Sequence, residues 1–314
     1  MLRKDILLII NPNASKGRGR KKAKEIQSLF RNMSRECTVA YTRAPRHAES
    51  LAKRGALYGY DTIVVAGGDG TVNETVNGIM KSGVSGVRMG IIPIGRGNDF
   101  SWMAGIPSKQ KKAVELIARG ISRKIDVGFC VGTEHPDGMY FVNGAGFGFE
   151  PMVNFRAMDY KHINGMLSYV VAFLYILIHP PKPYNIKLTI DGAVVNLDTQ
   201  QVSVSNGRRM GSAFMIAPDA EIDDGLLDVM YTNFPLESKG LLKAVFAFLR
   251  GSHVSDKRTF TCVRAERVGI ETSSECIEAH CDGELFTHKG QKFSIEIRKG
   301  ALEMIAGKLQ SGGK

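Results

Sequence analysis

Two rhythms of apolar and polar positions divide the chain. Residues 6–10 form a continuous apolar run, the pattern of a strand buried on both faces of a parallel sheet. A polar loop over residues 11–19 follows, then a basic helix predicted over residues 20–30. Residues 38–41 predict a second strand, 48–58 a helix, and 62–66 a third strand. After Gly67-Gly68-Asp69-Gly70-Thr71 a helix is expected from about residue 72 to 80, then a strand over 89–92 and another glycine loop. This alternation predicts an α/β domain with a doubly wound, mostly parallel sheet. Ligands of such sheets bind beyond the carboxyl ends of the strands. After about Asp126 the rhythm changes. Residues 185–190 and 193–197 flank Asp191-Gly192, the signature of a two-residue hairpin turn. Further strands are predicted over 201–205, 226–231, 268–272, 277–281 and 293–297, interrupted by helices at Met166–Ile178 and residues 241–249. The second half therefore reads as a mainly antiparallel β-sandwich. The expected division is residues 1–130, 131–305 and a tail 306–314, frayed over its last five residues.

The glycine loops carry the candidate chemistry. Strand, glycine turn and helix present backbone N–H groups and a positive helix end to phosphate. Asp69 adds a loop-tip carboxylate within reach of Mg²⁺, and Thr71 a hydroxyl; a plain capped turn is the simpler alternative. No Gly-Lys-Ser/Thr follows, so this is not a Walker A loop, nor does it match the dinucleotide fingerprint. Pro93-Ile94-Gly95-Arg96-Gly97-Asn98-Asp99-Phe100 closes the fourth strand on the same edge, with Asp99 either capping the next helix or joining Asp69 in a metal–water network. The first loop, from Asn11, offers Lys16 and Arg18 to phosphate, whereas Lys21, Lys22 and Lys24 read as a solvated helix face. Met166–Ile178 is apolar nearly all round, either a buried helix or a lip for acyl chains. His280 and Cys281 lie near Cys276, but zinc would need two good ligand pairs.

Length and charge narrow the reading. The 314 residues favour two domains at ~100–200 residues each. A net charge of +11 suits an anionic partner, whether nucleotide phosphate, an anionic lipid surface or nucleic acid, or simply serves solubility; of these partners nucleic acid is the one not expected. Five scattered cysteines without a C-x-x-C pair point to a reducing compartment. The apolar start ends in Asn-Pro without a cleavage site, and no run reaches the ~20 residues of a membrane span. The expected location is cytoplasmic.

In order along the chain, these segments resemble the diacylglycerol kinase catalytic-domain family, the bacterial soluble lipid kinases related to sphingosine and ceramide kinases. The likeness runs from Asn11-Pro12 through Gly67–Asn73 and the loop Gly95 to Phe100. It continues in Asn206, Gly211, Ala217-Pro218-Asp219-Ala220, Asp224-Gly225-Leu226-Leu227-Asp228 and Asp282-Gly283-Glu284. It implies an ATP- and Mg²⁺-dependent lipid kinase that phosphorylates a hydroxyl of diacylglycerol or a related lipid, giving a phosphatidic-acid-like product. The active site would lie in the cleft between the domains. Gly67, Gly68, Asp69, Gly70, Thr71, Val72 and Asn73 would bind the ATP phosphates, joined by Asn11, Lys16, Thr42, Arg96, Asn98 and Asp99. Glu284 would be the general base, with Asp69 also catalytic. Asp224 would hold Mg²⁺ with the backbone carbonyls of Glu221 and Leu226. The lipid would be met by peripheral association with the anionic inner membrane surface; oligomeric state stays open, a homodimer included. Two positions depart from the family pattern: Arg96 stands where it usually has threonine, and Trp102 where it often has arginine. Two other readings stay open, a kinase of a soluble substrate such as NAD or a sugar, and a catalytically weakened nucleotide- or lipid-binding regulator.

Overall fold

The computed structural model describes residues 4–159, 166–273 and 276–308; the frayed tail expected at 310–314 lies outside them. The chain forms two compact units, one running up to Val127 and taken up again from Lys299, the other spanning Gly128–Arg298.

The first unit alternates strands and helices: β1 (Lys4–Ile10), α1 (Ala14–Gly17), α2 (Gly19–Arg31), β2 (Cys37–Tyr41), α3 (His47–Leu57), β3 (Tyr60–Gly67), α4 (Asp69–Met80), β4 (Arg88–Pro93), α5 (Asp99–Met103) and α6 (Gln110–Arg119). The sheet order is β2-β1-β3-β4, all parallel, so the four carboxyl ends share one edge. Beyond β4, Glu303 and Met304 of the C-terminal strand pair parallel with Arg88 and Met89. The sheet centre is apolar because both faces are covered: Leu8, Ile9, Ile63, Val65 and Ile92 are fully buried. Helices press in closely. A Cβ on Gly78 of α4 would lie 2.3 Å from the Glu49 carbonyl oxygen, so only glycine permits this approach to α3.

The second unit continues with β5 (Ser122–Gly132, shared with the first), β6 (His135–Phe141), β7 (Gly144–Gly148), α7 (Phe149–Asp159), α8 (Met166–Ile178), β8 (Tyr184–Ile190), β9 (Ala193–Thr199), β10 (Gln201–Ser205), β11 (Leu227–Thr232), α9 (Ser238–Arg250), β12 (Phe260–Ala265), β13 (Arg267–Thr272), β14 (Ile277–Cys281), β15 (Glu284–Gly290) and β16 (Lys292–Ile305). One antiparallel sheet has the order β12-β11-β10-β7-β14-β15; β16, β13, β8 and β9 form another row, antiparallel within this unit. Side chains from both sheets, among them Phe147, Val204, Ile270 and Phe293, share one apolar core. The Asp191-Gly192 turn has positive φ at both residues (46° and 90°), as a two-residue hairpin requires. A second core joins α8 and α9 to β11 and β12 through Ile176, Leu241, Phe248, Met230 and Phe260. Over residues 171–178 helix α8 is half-buried: Ala172 and Ile176 point inward while Leu174 and Ile178 are exposed. Among the described residues no helix is long and apolar enough to cross a membrane.

Candidate functional site

In the first unit the loops after β1, β3 and β4 are tied together. Asn11, after β1, directs its side-chain amide at Thr71 Oγ1, 3.5 Å away. Gly67 and the fourth-strand loop are joined by Ile94 N–H donating to the Gly67 carbonyl at 3.0 Å. Gly68 and Gly95 then meet backbone to backbone; a Cβ on Gly95 would lie 2.3 Å from Gly68 Cα. Asn98 takes up a left-handed conformation (φ 52°), and its side chain closes the loop on itself by accepting from Gly95 N–H and donating to Gly95 O, both at 3.1 Å. Thr42 lies just after β2 on the same edge, its N–H bound to the Ile10 carbonyl at 3.0 Å.

Asp69 departs from expectation. Helix α4 begins at Asp69 and not near Val72, so the carboxylate stands in the first helical turn and not at a loop tip. Its Oδ2 accepts the Asn98 N–H at 2.7 Å. Its Oδ1 is buried and has no hydrogen-bond partner among the described residues. Burial raises its pKa above the usual carboxylate value, opposed by backbone N–H groups of Asn98, Asp99 and Phe100. No side chain caps α4, which leaves N–H groups of its first turn turned to the loop edge. Thr71 is buried at the turn, Val72 and Asn73 are buried further along, and Asn73 Oδ1 accepts from Asn77 at 3.2 Å. Gly70 is half-exposed, Arg96 exposed and Asp99 buried. Lys16 lies on α1, and its side chain is outside what the structure describes. Lys21 and Lys24 are exposed as expected, whereas Lys22 is half-buried and donates to Gln110 on α6 at 3.3 Å.

In the second unit Asp282 and Gly283 form the turn between β14 and β15, with φ of 53° and 83°. The Asp282 carboxylate accepts three backbone N–H groups, from Val142 (2.9 Å), Asn143 (2.7 Å) and Gly144 (3.0 Å). It thereby fixes the turn that carries Glu284, whose side chain is exposed. Behind the turn stands a network that sequence reasoning missed. Gly283 N–H donates to His280 Nδ1 at 3.3 Å, which leaves the imidazole proton on Nε2, 3.3 Å from Glu150 Oε1. Ser203 Oγ donates to Glu150 Oε2 at 2.7 Å, and Gln201 donates to Ser203 Oγ at 2.8 Å. A Cβ on Gly146 would lie 2.7 Å from His280 Nε2. Asn154 of α7 donates to the Gly283 carbonyl at 2.8 Å. The legible signal was Gln201 and Ser203, polar residues spaced by two on a buried strand.

Asp224 lies elsewhere in this unit, in an acidic loop beside β12. Its Oδ1 accepts Leu226 N–H at 3.0 Å. Its Oδ2 is buried without a hydrogen bond among the described residues and lies 3.5 Å from Arg264, which is also 3.5 Å from Asp228. Burial, with Asp224 and Asp219 nearby, pushes the Asp228 pKa up to about 6 against the pull of Arg264. Glu221 is exposed and Leu226 half-buried. A carboxylate oxygen without a hydrogen bond among other carboxylates is the donor chemistry a hard divalent cation prefers, and Arg264 now offsets the charge there. Among the described residues no cluster of three His, Cys, Asp or Glu side chains is arranged around a metal position.

The fold pairs a parallel α/β unit bearing a glycine-loop edge with an antiparallel sandwich-like unit. The sequence matches the diacylglycerol kinase catalytic domain over residues 5–130 and the YegS C-terminal NAD kinase beta sandwich-like domain over residues 144–306. The chain belongs to this diacylglycerol kinase family. A diacylglycerol kinase of Bacillus subtilis (strain 168) is 29% identical over 279 residues, covering 88% of each chain. The crystal structure of a diacylglycerol kinase from Bacillus anthracis str. Sterne superposes with a TM-score of 0.72 at 23% identity, over 98% of this chain and 97% of that one. Yeast NADH kinase, solved with NADH, shares the fold at a TM-score of 0.53 and 11% identity, over 96% of this chain and 82% of that one.

Proposed function

We propose that this protein transfers the γ-phosphate of ATP to the hydroxyl of diacylglycerol or a related lipid, giving a phosphatidic-acid-like product. The observation that carries the reading is the close seam of Gly67, Gly68 and Gly95 beside the uncapped start of α4. Glycines there let phosphate oxygens approach backbone N–H groups, and the helix end favours their charge. Asn11, Lys16, Thr42, Thr71, Arg96, Asn98 and Asp99 complete the nucleotide's surroundings in this reading. Glu284 takes the proton from the lipid hydroxyl; the lipid oxygen attacks the γ-phosphorus, the bond to the β-phosphate oxygen breaks, and ADP leaves. Asp282 and the His280–Glu150 pair position Glu284 through the turn they hold. Asp69, with its buried Oδ1, and Asp224, with its buried Oδ2 and the carbonyls of Glu221 and Leu226, are the residues fit to hold Mg²⁺. Mg²⁺, when bound, supplies neutralising charge for the phosphates or stiffens the acidic loop. The enzyme works in the cytoplasm at the membrane surface, held there peripherally.

Incubation with radiolabelled ATP and a mixed-lipid extract tests the reading. Label is expected in the organic phase. A water-soluble labelled product would replace the lipid acceptor with an NAD- or sugar-like one, and nucleotide binding without turnover would make the protein a regulator.

A further inference from the structure

Helix α9 has two apolar faces, and among the described residues only one packs into the core. Leu241, Ala244 and Phe248 are buried against α8, β11 and β12. Leu242 (40% exposed), Phe246 (51%) and Leu249 (41%) face outward at spacings of four and three, one ridge along the opposite side. Exposed Lys239, Lys243 and Arg250 stand on the same side, and the helix carries no acidic residue. An open groove of about 480 Å³ runs along it, lined by Lys243, Phe246, Ala247, Arg250 and Ser252. Helix α8, which meets the start of α9, exposes apolar side chains of its own. It has no charged residue over its 13 positions, its Leu174 and Ile178 are 52% and 74% exposed, and the Leu177 carbonyl is bound by Ser238 at the start of α9.

We propose that the outward face of α9, with the exposed end of α8, is the surface by which the protein docks on an anionic lipid bilayer. The proposal rests on the reading that the acceptor is a lipid, and names where the membrane is met. Apolar side chains flanked by cations are the composition of an interfacial helix, which sinks its ridge into the acyl boundary while the cations meet headgroups. The groove between Lys243 and Arg250 is of a size and charge to take a lipid phosphate. A second copy of this chain is disfavoured as occupant: a two-fold interface would set Lys239, Lys243 and Arg250 against themselves.

The test is co-sedimentation with vesicles of phosphatidylcholine alone and of phosphatidylcholine with phosphatidylglycerol, at low and physiological salt. The wild type is expected to bind the anionic vesicles and to be released by salt. The double variant Lys243→Glu, Arg250→Glu should weaken binding at least about thirtyfold, each cation near the surface being worth roughly a factor of five. Phe246→Asp should weaken it tenfold or more, with unchanged melting and unchanged turnover on a short-chain lipid dispersed in water. Phe246→Trp should be quenched by brominated acyl chains beyond the wild-type signal of Trp102. If the wild type binds and these variants bind equally well, the docking surface is elsewhere, and the lipid-kinase reading stands or falls by the labelled product. Wild-type protein that ignores anionic vesicles overturns the docking proposal outright. A concentration-dependent dimer abolished by Phe246→Asp would assign the face to a second copy instead.

Discussion

At the scale of single residues, Asp69 is the side chain whose setting differs most from its sequence reading. Read as part of a glycine loop, it has a carboxylate to spare; in the structure that carboxylate also holds the Asn98 N–H at 2.7 Å. Asp69→Asn keeps an acceptor for Asn98 and should leave melting nearly unchanged while removing kinase turnover. Asp69→Ala should lose turnover and about 1–3 kcal/mol of stability, because a partly buried donor is left unmatched. Thermal melting beside the kinase assay separates the two, and near-normal turnover in either variant would defeat the proposed phosphate-site role. Glu284→Gln preserves shape but not basicity. Turnover should fall ~10²–10⁴-fold with ATP affinity retained. Surviving turnover would make Glu284 a hairpin residue; collapse of ATP affinity would move it to the nucleotide. The motif residues were legible because glycine and aspartate at turns have few structural substitutes. Glu150 was not, since nothing in Gly148-Phe149-Glu150 announces that His280, 130 positions later, will face it.

At the scale of elements, the glycine seam and the turn after α9 make separate predictions. Gly95→Ala sets a Cβ against the Gly68 backbone, which cannot swing aside as a side chain could. It should cost ~1–3 kcal/mol and weaken ATP binding together, whereas a loop not used by nucleotide would lose only stability. Equilibrium melting with and without a non-hydrolysed ATP analogue reads both. His253, in the short 3-10 helix Ser252–Ser255 after α9, is buried between Phe248 and Phe260, with Nε2 3.0 Å from the Ile216 carbonyl. Burial lowers its pKa from 6.5, so the native state resists the proton that the unfolded chain accepts. Its contribution to stability is complete above pH 6.5 and declines as pH falls below that value. His253→Gln should flatten the pH dependence of melting below that point; an equally steep slope in the variant would assign the effect to other groups. The strands and helices of the first unit were legible because their apolar runs match one period each. Helix α6 was not read, because Gln110, Lys111 and Lys112 open it with polar residues and only Ala113, Val114 and Ile117 are buried.

At the scale of the whole molecule, the change of rhythm near Asp126 announced two kinds of architecture, and both are present. Ions act on the molecule as a whole through stability. If Asp224 holds Mg²⁺, saturating ion at a hundred times its dissociation constant should stabilise the wild type by about 2.7 kcal/mol, and Asp224→Ala should lose most of that gain. Scanning calorimetry with Mg²⁺ and with chelator decides it; an unchanged response in the variant would place the ion elsewhere. What the sequence could not disclose is pairing over distance, since residues 303 and 304 carry no mark that they lie beside Arg88 and Met89. That pairing sets a clock on synthesis. A ribosome adding ~5–20 residues per second finishes β4 roughly 10–40 s before it supplies the strand that covers it. For that interval the nascent first unit presents an open, apolar strand edge, the kind that recruits chaperones or wrong partners. A message broken late in its reading frame would therefore yield an aggregation-prone chain, even with every glycine-loop residue already translated.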